Sequence, residues 1–292
     1  MKIALGTVQF GINYGVTNPS GRSPIQEVRQ ILEFASKNGI SMLDTAPSYG
    51  ESEKVLGGNS LTNFNLVTKT PFIKRQIIGE SEVDYVVKVF YDSLKKLGVK
   101  SLYGLIIHQI SDIYKSGFEK LYVKLKQLKE NGLVKKIGIS VYEQSEIDYF
   151  LGRYKFDLIQ LPLNVFDQRL LKTGTLSKLK EEDIEIHARS IFLQGILLAE
   201  PEVLHSQFRE AQCVHTRYYE DLRANGLSLL EGALYFIKDI TEIDYAVIGV
   251  NNFKQLNEIY NSYLNIMNYK NVGIDYTKHS VSNEKIIDPR KW

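Results

Sequence analysis

The chain alternates short runs of β-branched and aliphatic residues with longer segments of helical period, and this alternation constrains its fold more than any other feature. Each run is apolar enough to be covered on both faces, as the strands of a parallel sheet are. The pattern is typical of repeated βα units. The predicted strands are residues 3–5, 41–43, 66–68, 102–107, 136–139, 158–161, 185–188 and 245–248. Eight such strands close a (β/α)8 barrel, so the sequence predicts an α/β TIM barrel.

The segments between the strands have the spacing and the stop residues of α-helices. After Pro24, apolar residues such as Val28 and Ile31 recur at helical spacing, and Asn38-Gly39 indicates the end of that helix. The same order of helix, glycine stop and strand recurs along the chain. A solenoid of repeats is the alternative, but the intervals are uneven and no residue pattern repeats in register. Closure into one barrel domain, residues 1–292, is the better account.

Two segments depart from this rhythm. Residues 199–225 carry histidines, a cysteine and paired tyrosines with weak periodicity, and we interpret them as an insertion after the seventh strand, at one mouth of the barrel. The tail after Tyr263 also lacks a strong period. Since the catalytic residues of such barrels lie at the C-terminal ends of the strands, both segments are expected to shape a substrate pocket.

Charge and composition restrict the partners that such a chain can have. Lys and Arg number 36 against 34 Asp and Glu, a formal net charge of +2, which is too small to argue for nucleic-acid binding. The one cysteine, Cys213, excludes an intramolecular disulfide, and the apolar runs are far shorter than the ~20 residues that span a bilayer. The N-terminal residues have no signal-peptide pattern, and no metal-binding motif is present. We expect a cytoplasmic protein with a small-molecule partner, no nucleic acid, no membrane and no metal.

Polar side chains stand where successive predicted strands end. Asp44, Lys69 and His108 each follow an apolar run directly, so all three would face one mouth of the barrel. Tyr49 follows Asp44 closely, and a proline and a glycine beside it indicate a turn that brings the phenol back over the barrel. Taken singly, Asp44 is more often a turn cap and Tyr49 a packed aromatic. Lys69 is more often a solvent-facing side chain and His108 a core histidine. Their co-location at the functional end of a barrel favours a catalytic site.

These four side chains suit proton donation to a carbonyl oxygen. A phenol with a pKa of about 10 is a slow acid at neutral pH, but a buried ammonium stabilises the phenolate and lowers that pKa. We expect Lys69 to be this ammonium and Asp44 its counter-ion, because an unpaired buried charge is costly. A histidine hydrogen-bonded to the same oxygen would orient the carbonyl. The carbonyl carbon needs a hydride, which no amino acid supplies, so a nicotinamide cofactor is implied.

Short motifs along nearly the whole chain carry a family resemblance. In order, they are Gly6-Thr7 with Phe10-Gly11, Leu43-Asp44-Thr45-Ala46 with Tyr49-Gly50, Val67-Thr68-Lys69, Ile107-His108, Ile137-Gly138-Ile139-Ser140, Gln160, and Ile248-Gly249 with Gln255-Leu256. In this order and spacing the chain resembles the aldo-keto reductase family. The resemblance implies an NAD(P)H-dependent oxidoreductase on a TIM barrel. It also implies a catalytic tetrad of Asp44, Tyr49, Lys69 and His108, in which the tyrosine is the general acid of carbonyl reduction.

The resemblance further implies a set of cofactor-binding positions. Ser140 and Gln160 match positions that face the nicotinamide carboxamide, whereas Val141 replaces an asparagine. Arg189 stands where relatives usually offer an aromatic ring, so we expect its guanidinium to lie against the nicotinamide, with pairing to a nearby acid as the alternative. The expected cofactor contacts are Gly6, Thr7, Asp44, Ser140, Gln160, Arg189, Ser190, Phe192, Gln194, Gly249, Asn251, Asn252, Lys254, Gln255 and Glu258.

The choice between the two nicotinamide cofactors rests on family habit. The diphosphate and adenosine are expected between the eighth strand and the next helix, where backbone N–H groups receive phosphate. No basic residue plainly marks a 2′-phosphate there, although Lys254 is near. We expect NADP (as NADPH), with NAD as the alternative.

Two further expectations concern the ends of the barrel. Many relatives begin with a hairpin that plugs the bottom, whereas Met1 leads directly into the first strand, so we expect side chains of that strand or the tail to close it. His187 is expected to pack rather than react. At the other end, Tyr14, Tyr142, Arg217 and Tyr218 are candidates for the substrate pocket, which would suit a sugar-like or anionic carbonyl compound.

Two other functions compete with the reductase. One is a cofactor-binding accessory or regulatory subunit without activity, which the intact tetrad disfavours. The other is a barrel aldolase that uses Lys69 as a Schiff-base nucleophile. For the assembly we expect a monomer, the common form in the family, or a weak homodimer.

Overall fold

Eight parallel strands form a closed barrel in the computed structural model, which describes residues 1–270 and 272–292. They are β1 (Lys2–Gly6), β2 (Met42–Asp44), β3 (Asn65–Lys69), β4 (Leu102–Ile107), β5 (Val134–Ser140), β6 (Leu158–Pro162), β7 (Glu185–Arg189) and β8 (Tyr245–Gly249). Neighbours in sequence are neighbours in the sheet, and β8 pairs with β1. The predicted (β/α)8 barrel is therefore confirmed, and several strands extend one or two residues beyond their predicted ends.

Helices cover the outside of this barrel. They are α1 (Val8–Gly11), α2 (Ile25–Lys37), α3 (Ser52–Gly57), α4 (Glu80–Leu97), α5 (Phe118–Glu130), α6 (Gln144–Phe150), α7 (Arg169–Lys172), α8 (Thr175–Glu181), α9 (Gln212–Ala224), α10 (Leu229–Asp239), α11 (Phe253–Met267) and α12 (Glu284–Ile287). Short 3₁₀ helices lie at Ile110–Tyr114, Leu193–Leu198, Pro201–Val203, Ser206–Ala211, Tyr276–His279 and Pro289–Lys291. As predicted, α2 buries Val28 and Ile31 and ends before Asn38.

The barrel interior is apolar at mid-height and polar at its C-terminal mouth. The inner cluster consists of Ala4, Met42, Val67, Ile106 and Leu158. Toward the mouth, Asp44 ends β2, Lys69 ends β3 and His108 directly follows β4. Because parallel strands end at the same edge of the sheet, these three side chains meet at one mouth.

The segment after β7 is more regular than its sequence indicates. Residues 212–224 form the helix α9, which buries His215, Tyr218 and Leu222. These residues have the three- and four-residue spacing of a helix, but two of them are not aliphatic, which hides the apolar period. The segment interpreted as an insertion therefore contains a helix in its second half, although its sequence has only weak periodicity.

The C-terminal tail runs back toward the mouth of the barrel. Its Val281 N–H donates to the carbonyl oxygen of Phe166, which lies between β6 and α7, at 2.8 Å. Ile286 and Ile287 are buried, and Arg290 reaches the cavity at the C-terminal mouth. The tail therefore does not close the bottom of the barrel.

A polar cluster, which we call the bottom cluster, fills the N-terminal end of the barrel instead. It consists of Tyr103, Lys136, Glu185, His187 and Tyr245 from β4, β5, β7 and β8. Both the Tyr103 hydroxyl and the Lys136 ammonium donate to Glu185 Oε2 at 2.7 Å, and His187 Nε2 lies 2.8 Å from Glu185 Oε1. The expectation that β1 or the tail closes the bottom is thus wrong, whereas the fully buried His187 packs as expected.

None of the helices in the described residues combines the length and the apolar character that a membrane span requires. Within the same residues, no group of three or more His, Cys, Asp or Glu side chains is placed to hold a metal ion.

The bottom cluster makes stability depend on pH. Burial alone would raise the pKa of Glu185, but hydrogen bonds from His187, Lys136 and Tyr103 lower it to about 2. Since this folded-state pKa lies below the ordinary 4.5, the stabilisation is present above that value and is lost as the pH falls toward 2. We predict that Glu185→Gln lowers the free energy of unfolding by about 3 kcal/mol at neutral pH and by much less in acid, measured by urea unfolding.

Glu181→Gln, at the exposed end of α8, is the matched control and should change little at either pH. An equal loss of stability in both variants, or a loss that is independent of pH, would contradict the assignment.

Candidate active site

A cavity of about 570 Å³ occupies the C-terminal mouth of the barrel. Its wall brings together Asp44, Tyr49, Lys69 and His108 with most of the predicted cofactor and pocket residues. These are Gly6, Thr7, Ser140, Gln160, Arg189, Ser190, Phe192, Gln194, Gly249, Asn251, Gln255, Glu258, Tyr14 and Tyr142. The predicted residues therefore share one site of the size usual for ligand pockets.

Four predicted site residues are not on this wall. Asn252 caps α11, since its Oδ1 accepts from the Gln255 N–H at 2.9 Å, and Lys254 is exposed. Tyr218 is fully buried on α9, and Arg217 lies exposed on the same helix with its Nε donating to the Cys213 carbonyl oxygen. The expectation that Arg217 and Tyr218 line the pocket is wrong, because α9 turns one into the core and the other to solvent.

The centre of the site is an ion pair between Asp44 and Lys69. The ammonium donates to both carboxylate oxygens of Asp44, at 2.8 and 2.7 Å, and to the carbonyl oxygen of Thr45 at 2.9 Å. Gln160 Nε2 donates to Asp44 Oδ1 at 2.8 Å. Burial alone would lower the pKa of Lys69, but Asp44 raises it above its ordinary value. Lys69 is therefore protonated, and all of its ammonium hydrogens are engaged.

The turn before α3 brings Tyr49 over this pair. The turn lies against Gly11 of α1 so closely that a Cβ at Gly11 would be 1.7 Å from the carbonyl oxygen of Tyr49. Glycine at that position thus permits the approach. The Lys69 ammonium lies 4.9 Å from the centroid of the Tyr49 ring. The predicted contact between phenol and ammonium is present.

The pKa of the phenol differs from the expected direction. Burial raises the pKa of Tyr49, Lys69 lowers it and Asp44 raises it again, so the net pKa lies above the ordinary value. Lys69 acts in the expected sense, but its charge is largely neutralised by Asp44. The expectation that Lys69 brings the pKa into the neutral range is wrong for the protein alone, and Tyr49 holds its proton at neutral pH.

His108 is a neutral imidazole beside the phenol. Its ring lies edge-on to Tyr49 with centroids 6.1 Å apart, and its Nδ1 is 3.5 Å from the Ser48 hydroxyl. Burial and the charge of Lys69 lower the pKa of His108 to about 3. A neutral imidazole can donate one N–H to an oxygen without bringing a full charge into the site.

Arg189, at the end of β7, lines the cavity and reaches the residues that follow β5. It donates to the carbonyl oxygen of Val141 at 3.0 Å, and its guanidinium carbon lies 4.1 Å from the centroid of the Tyr142 ring. Arg290 from the tail lies against the same ring at 3.4 Å. Within the described residues, Arg189 has no ion pair with a carboxylate, so the alternative that it pairs with a nearby acid is wrong.

The loop after β7 is held over one side of the cavity in a strained conformation. Ser190, Leu193 and Gln194 have φ values of 59°, 47° and 53°, which residues other than glycine rarely adopt. Asn164 Nδ2 donates to the Ser190 carbonyl oxygen, and the Thr17 hydroxyl donates to that of Gln194, both at 3.0 Å. These contacts fix the loop between β6 and the loop after β1.

The wall between β1 and β8 has an unused hydrogen-bond acceptor. Gln9 is 9% exposed, and its Oε1 has no partner among residues 1–270 and 272–292. It lies against Gly249, where a Cβ would be 2.6 Å from Gln9 Nε2. Glycine at position 249 makes room for the Gln9 side chain, and the unpartnered Gln9 Oε1 can accept from a ligand that carries hydrogen-bond donors. The residues present therefore fit a dinucleotide that extends from the tetrad toward α11.

Several residues of the wall were not predicted from the sequence, namely Gln9, Thr17, Asn18, Gln109 and Arg290. Gln9 lies between Gly6-Thr7 and Phe10-Gly11, and Gln109 directly follows Ile107-His108, so adjacency to recognised motifs could have identified both. Arg290 carries no local signal, because its position depends on how the aperiodic tail packs.

The comparison with known families agrees with this geometry. A model of the Aldo/keto reductase family matches residues 2–274. The chain belongs to the aldo/keto reductase family. The resemblance found in the motifs is thereby confirmed.

Curated relatives of this aldo/keto reductase are distant. Aldo-keto reductase YhdN of Bacillus subtilis is 25% identical over 207 residues, which are 67% of this chain and 60% of that protein. D-arabinose 1-dehydrogenase of Saccharomyces cerevisiae is 27% identical over 190 residues, or 56% of each chain. The matched regions thus span somewhat over half the length of these relatives.

Solved structures share the fold over more of the chain. Glycerol dehydrogenase from Gluconobacter oxydans has a TM-score of 0.67 at 19% identity, covering 91% of this chain and 90% of that one. An aldo-keto reductase from Bacillus halodurans, in its holo form, has a TM-score of 0.70 at 16% identity and covers 95% of each. At these identities the likeness concerns the fold.

The state of His108 can be measured directly. We predict that its imidazole titrates near pH 3 and stays neutral at neutral pH, because burial and Lys69 oppose a second positive charge. Nuclear magnetic resonance of the histidine ring signals against pH would test this, with His108 identified by the signal missing from His108→Gln. A midpoint near the ordinary value of 6.5 would contradict the geometry.

Proposed function

We propose that this protein is an NAD(P)H-dependent reductase that converts an aldehyde or ketone to an alcohol. The observation that carries the proposal is the Tyr49 phenol, which lies against a Lys69 ammonium that is itself held by Asp44. At one point of the cavity, a protonated phenol lies beside a fixed cation and a neutral histidine. This arrangement can give a proton to a carbonyl oxygen.

The proposed steps follow from the state of each group. When bound, the reduced nicotinamide supplies the hydride that forms the new C–H bond. As the carbonyl π bond breaks and its oxygen gains charge, Tyr49 gives that oxygen its proton. Lys69 stabilises the phenolate that remains, and the N–H of neutral His108 orients the oxygen. The phenolate then regains a proton from solvent at the cavity mouth.

Several residues of the wall would hold the cofactor. Since Gln160 uses its Nε2 on Asp44, its Oε1 is left to accept from the nicotinamide carboxamide, with Ser140 beside it. Arg189 would lie against the nicotinamide ring and compensate for Val141, which offers no side-chain hydrogen bond.

The rest of the dinucleotide would lie along two further parts of the wall. The loop after β7 would cover its middle through Ser190, Phe192 and Gln194, and the α11 region would bind its adenosine half. We propose a nicotinamide dinucleotide as the cofactor. Family habit and the name of one relative, "Aldo-keto reductase yakc [NADP(+)]" of Schizosaccharomyces pombe, point to NADP, whereas the charges near α11 point to NAD.

The substrate side of the cavity is polar. Tyr14, Tyr142 and Arg290 line it together with His108. Two relatives are named for a sugar and for a polyol, D-arabinose 1-dehydrogenase and glycerol dehydrogenase. We therefore propose a small sugar-like or anionic carbonyl compound as substrate. A screen of such compounds, followed by loss of the near-ultraviolet absorbance of the reduced cofactor, tests the function directly.

The competing functions fit the site less well. A Schiff base needs a neutral amine, whereas Lys69 donates to three oxygens and has a raised pKa. A purely regulatory subunit has no need for four convergent catalytic groups. Trapping of a carbonyl compound on Lys69 with borohydride would support the aldolase, and cofactor oxidation that requires a carbonyl compound would support the reductase.

We predict that Tyr49→Phe lowers the turnover number by at least about 100-fold, the scale of lost general acid catalysis, while the cofactor dissociation constant stays within about twofold. Steady-state kinetics and a binding titration measure the two quantities. Tyr85→Phe, on an exposed face of α4, is the control for loss of a phenol. A fully active Tyr49→Phe variant would remove the assigned general acid.

Arg189 provides a second test. Because oxidised nicotinamide is positively charged, a guanidinium against the ring should favour the reduced cofactor. The native protein should therefore have a larger dissociation constant for the oxidised than for the reduced cofactor. We predict that Arg189→Met lowers the ratio of these two constants by at least about threefold, measured by calorimetry. Arg153→Met removes a similar arginine stack, 4.4 Å from the Tyr149 ring on the surface, and should leave the ratio unchanged. An unchanged ratio in Arg189→Met would place the guanidinium away from the nicotinamide.

A further inference from the structure

The cationic side chains of the cavity all lie away from the β8–α11 region. Among the described residues of its wall, the cationic side chains are Lys69, Arg189 and Arg290, and none of them belongs to the β8–α11 region. We call the part of the wall formed by Asn251, Gln255 and Glu258 the α11 end. Its one charged side chain is the carboxylate of Glu258. An anionic group bound there would find no opposite charge on the cavity wall, because Lys254, the one cation of α11, is exposed and lies off that wall.

The amino end of α11 is already engaged by this chain. Glu27, from α2, accepts the Phe253 N–H at 2.7 Å, and Asn252 accepts the Gln255 N–H at 2.9 Å. A helix amino end attracts phosphate through free N–H groups and its positive dipole. The Glu27 carboxylate occupies one of those N–H groups and offsets the dipole with a full negative charge.

Side-chain oxygens near this end also lack donors. Both Gln9 Oε1 and Asn251 Oδ1 are buried without a hydrogen-bond partner in the described chain, and both residues line the cavity. Buried acceptors of this kind are satisfied by ligand groups that donate hydrogen bonds. Even if either amide were turned to present its NH₂ group, the carboxylate of Glu258 on the wall could only accept, and so could that of Glu27, which lies off the wall at the Phe253 N–H. The wall suits hydroxyl and amino groups rather than a phosphate.

We infer that the α11 end binds an adenosine ribose with free hydroxyl groups, so that the protein prefers NAD(H) to NADP(H), with Glu27 as a specificity-determining residue. The inference rests on the proposed function, since it assumes that a dinucleotide places its nicotinamide at Tyr49. Acidic residues favour a ribose diol because a hydroxyl can donate to them, whereas a 2′-phosphate brings about two negative charges to the same place.

The test compares binding, independently of catalysis. Titration followed by cofactor fluorescence should give a dissociation constant at least about tenfold lower for NADH than for NADPH in the native protein. Glu27→Gln keeps an oxygen for the Phe253 N–H but removes the charge. This variant should lower the ratio of the NADPH to the NADH dissociation constant by at least about threefold, mainly because NADPH binds more tightly. Competition experiments with adenosine 5′-phosphate and adenosine 2′,5′-bisphosphate measure the effect of the 2′-phosphate on affinity without a contribution from the nicotinamide.

Glu33→Gln, which removes an exposed carboxylate from the same helix, is the control and should leave the preference unchanged. Equal or tighter binding of NADPH by the native protein would overturn the inference and leave the proposed reductase intact. A preference that Glu27→Gln does not alter would overturn the role of Glu27. Failure of both dinucleotides to bind would instead overturn the proposed function, and the inference with it.

Discussion

The buried ion pair between Asp44 and Lys69 is the interaction on which the site depends. Removing both charges from water is costly, and only a complete set of hydrogen bonds offsets that cost. The pair meets this condition, because Lys69 donates to three oxygens and Asp44 also accepts from Gln160. It is built from the ends of β2 and β3 and from the middle of β6, so the closed barrel itself sets its geometry. The position of the Tyr49 phenol against the ammonium follows from this arrangement.

The completeness of this pair determines the protonation states around it. An isolated ammonium would lower the pKa of a neighbouring phenol, but Asp44 cancels much of its field, and burial then keeps Tyr49 protonated. Within the described residues His108 has no ion pair with a carboxylate, and burial and the field of Lys69 outweigh that of Asp44 and keep the imidazole neutral. The resting site therefore holds one proton on the phenol and one on a neutral imidazole. An acid in that state can act once negative charge develops on a substrate oxygen.

The sequence predicts those parts of the site that the strands carry. Asp44, Lys69 and His108 could be placed at one mouth because strand periodicity and barrel closure determine where strands end. Residues that reach the cavity through long connections could not be placed in this way. Tyr218 was assigned to the pocket by composition, yet the face of α9 that packs inward decides its position. Arg290 reaches the wall only because the tail packs back over the mouth, a tertiary contact with no local pattern.

The two ends of the barrel show how binding sites differ from structural clusters. At the bottom, Glu185 accepts from Lys136 and Tyr103 and pairs with His187, so its charge is satisfied within the protein. At the mouth, the guanidinium of Arg189 lies without a carboxylate, and Gln9 presents a buried oxygen without a donor, within the described residues. Unmet polar groups in a cavity cost stability unless a ligand completes them. The same strand, β7, begins at Glu185, whose charge is satisfied within the protein, and ends at Arg189, which has no ion pair within the described residues, so the barrel separates a charge that holds the fold from one that is available to a ligand.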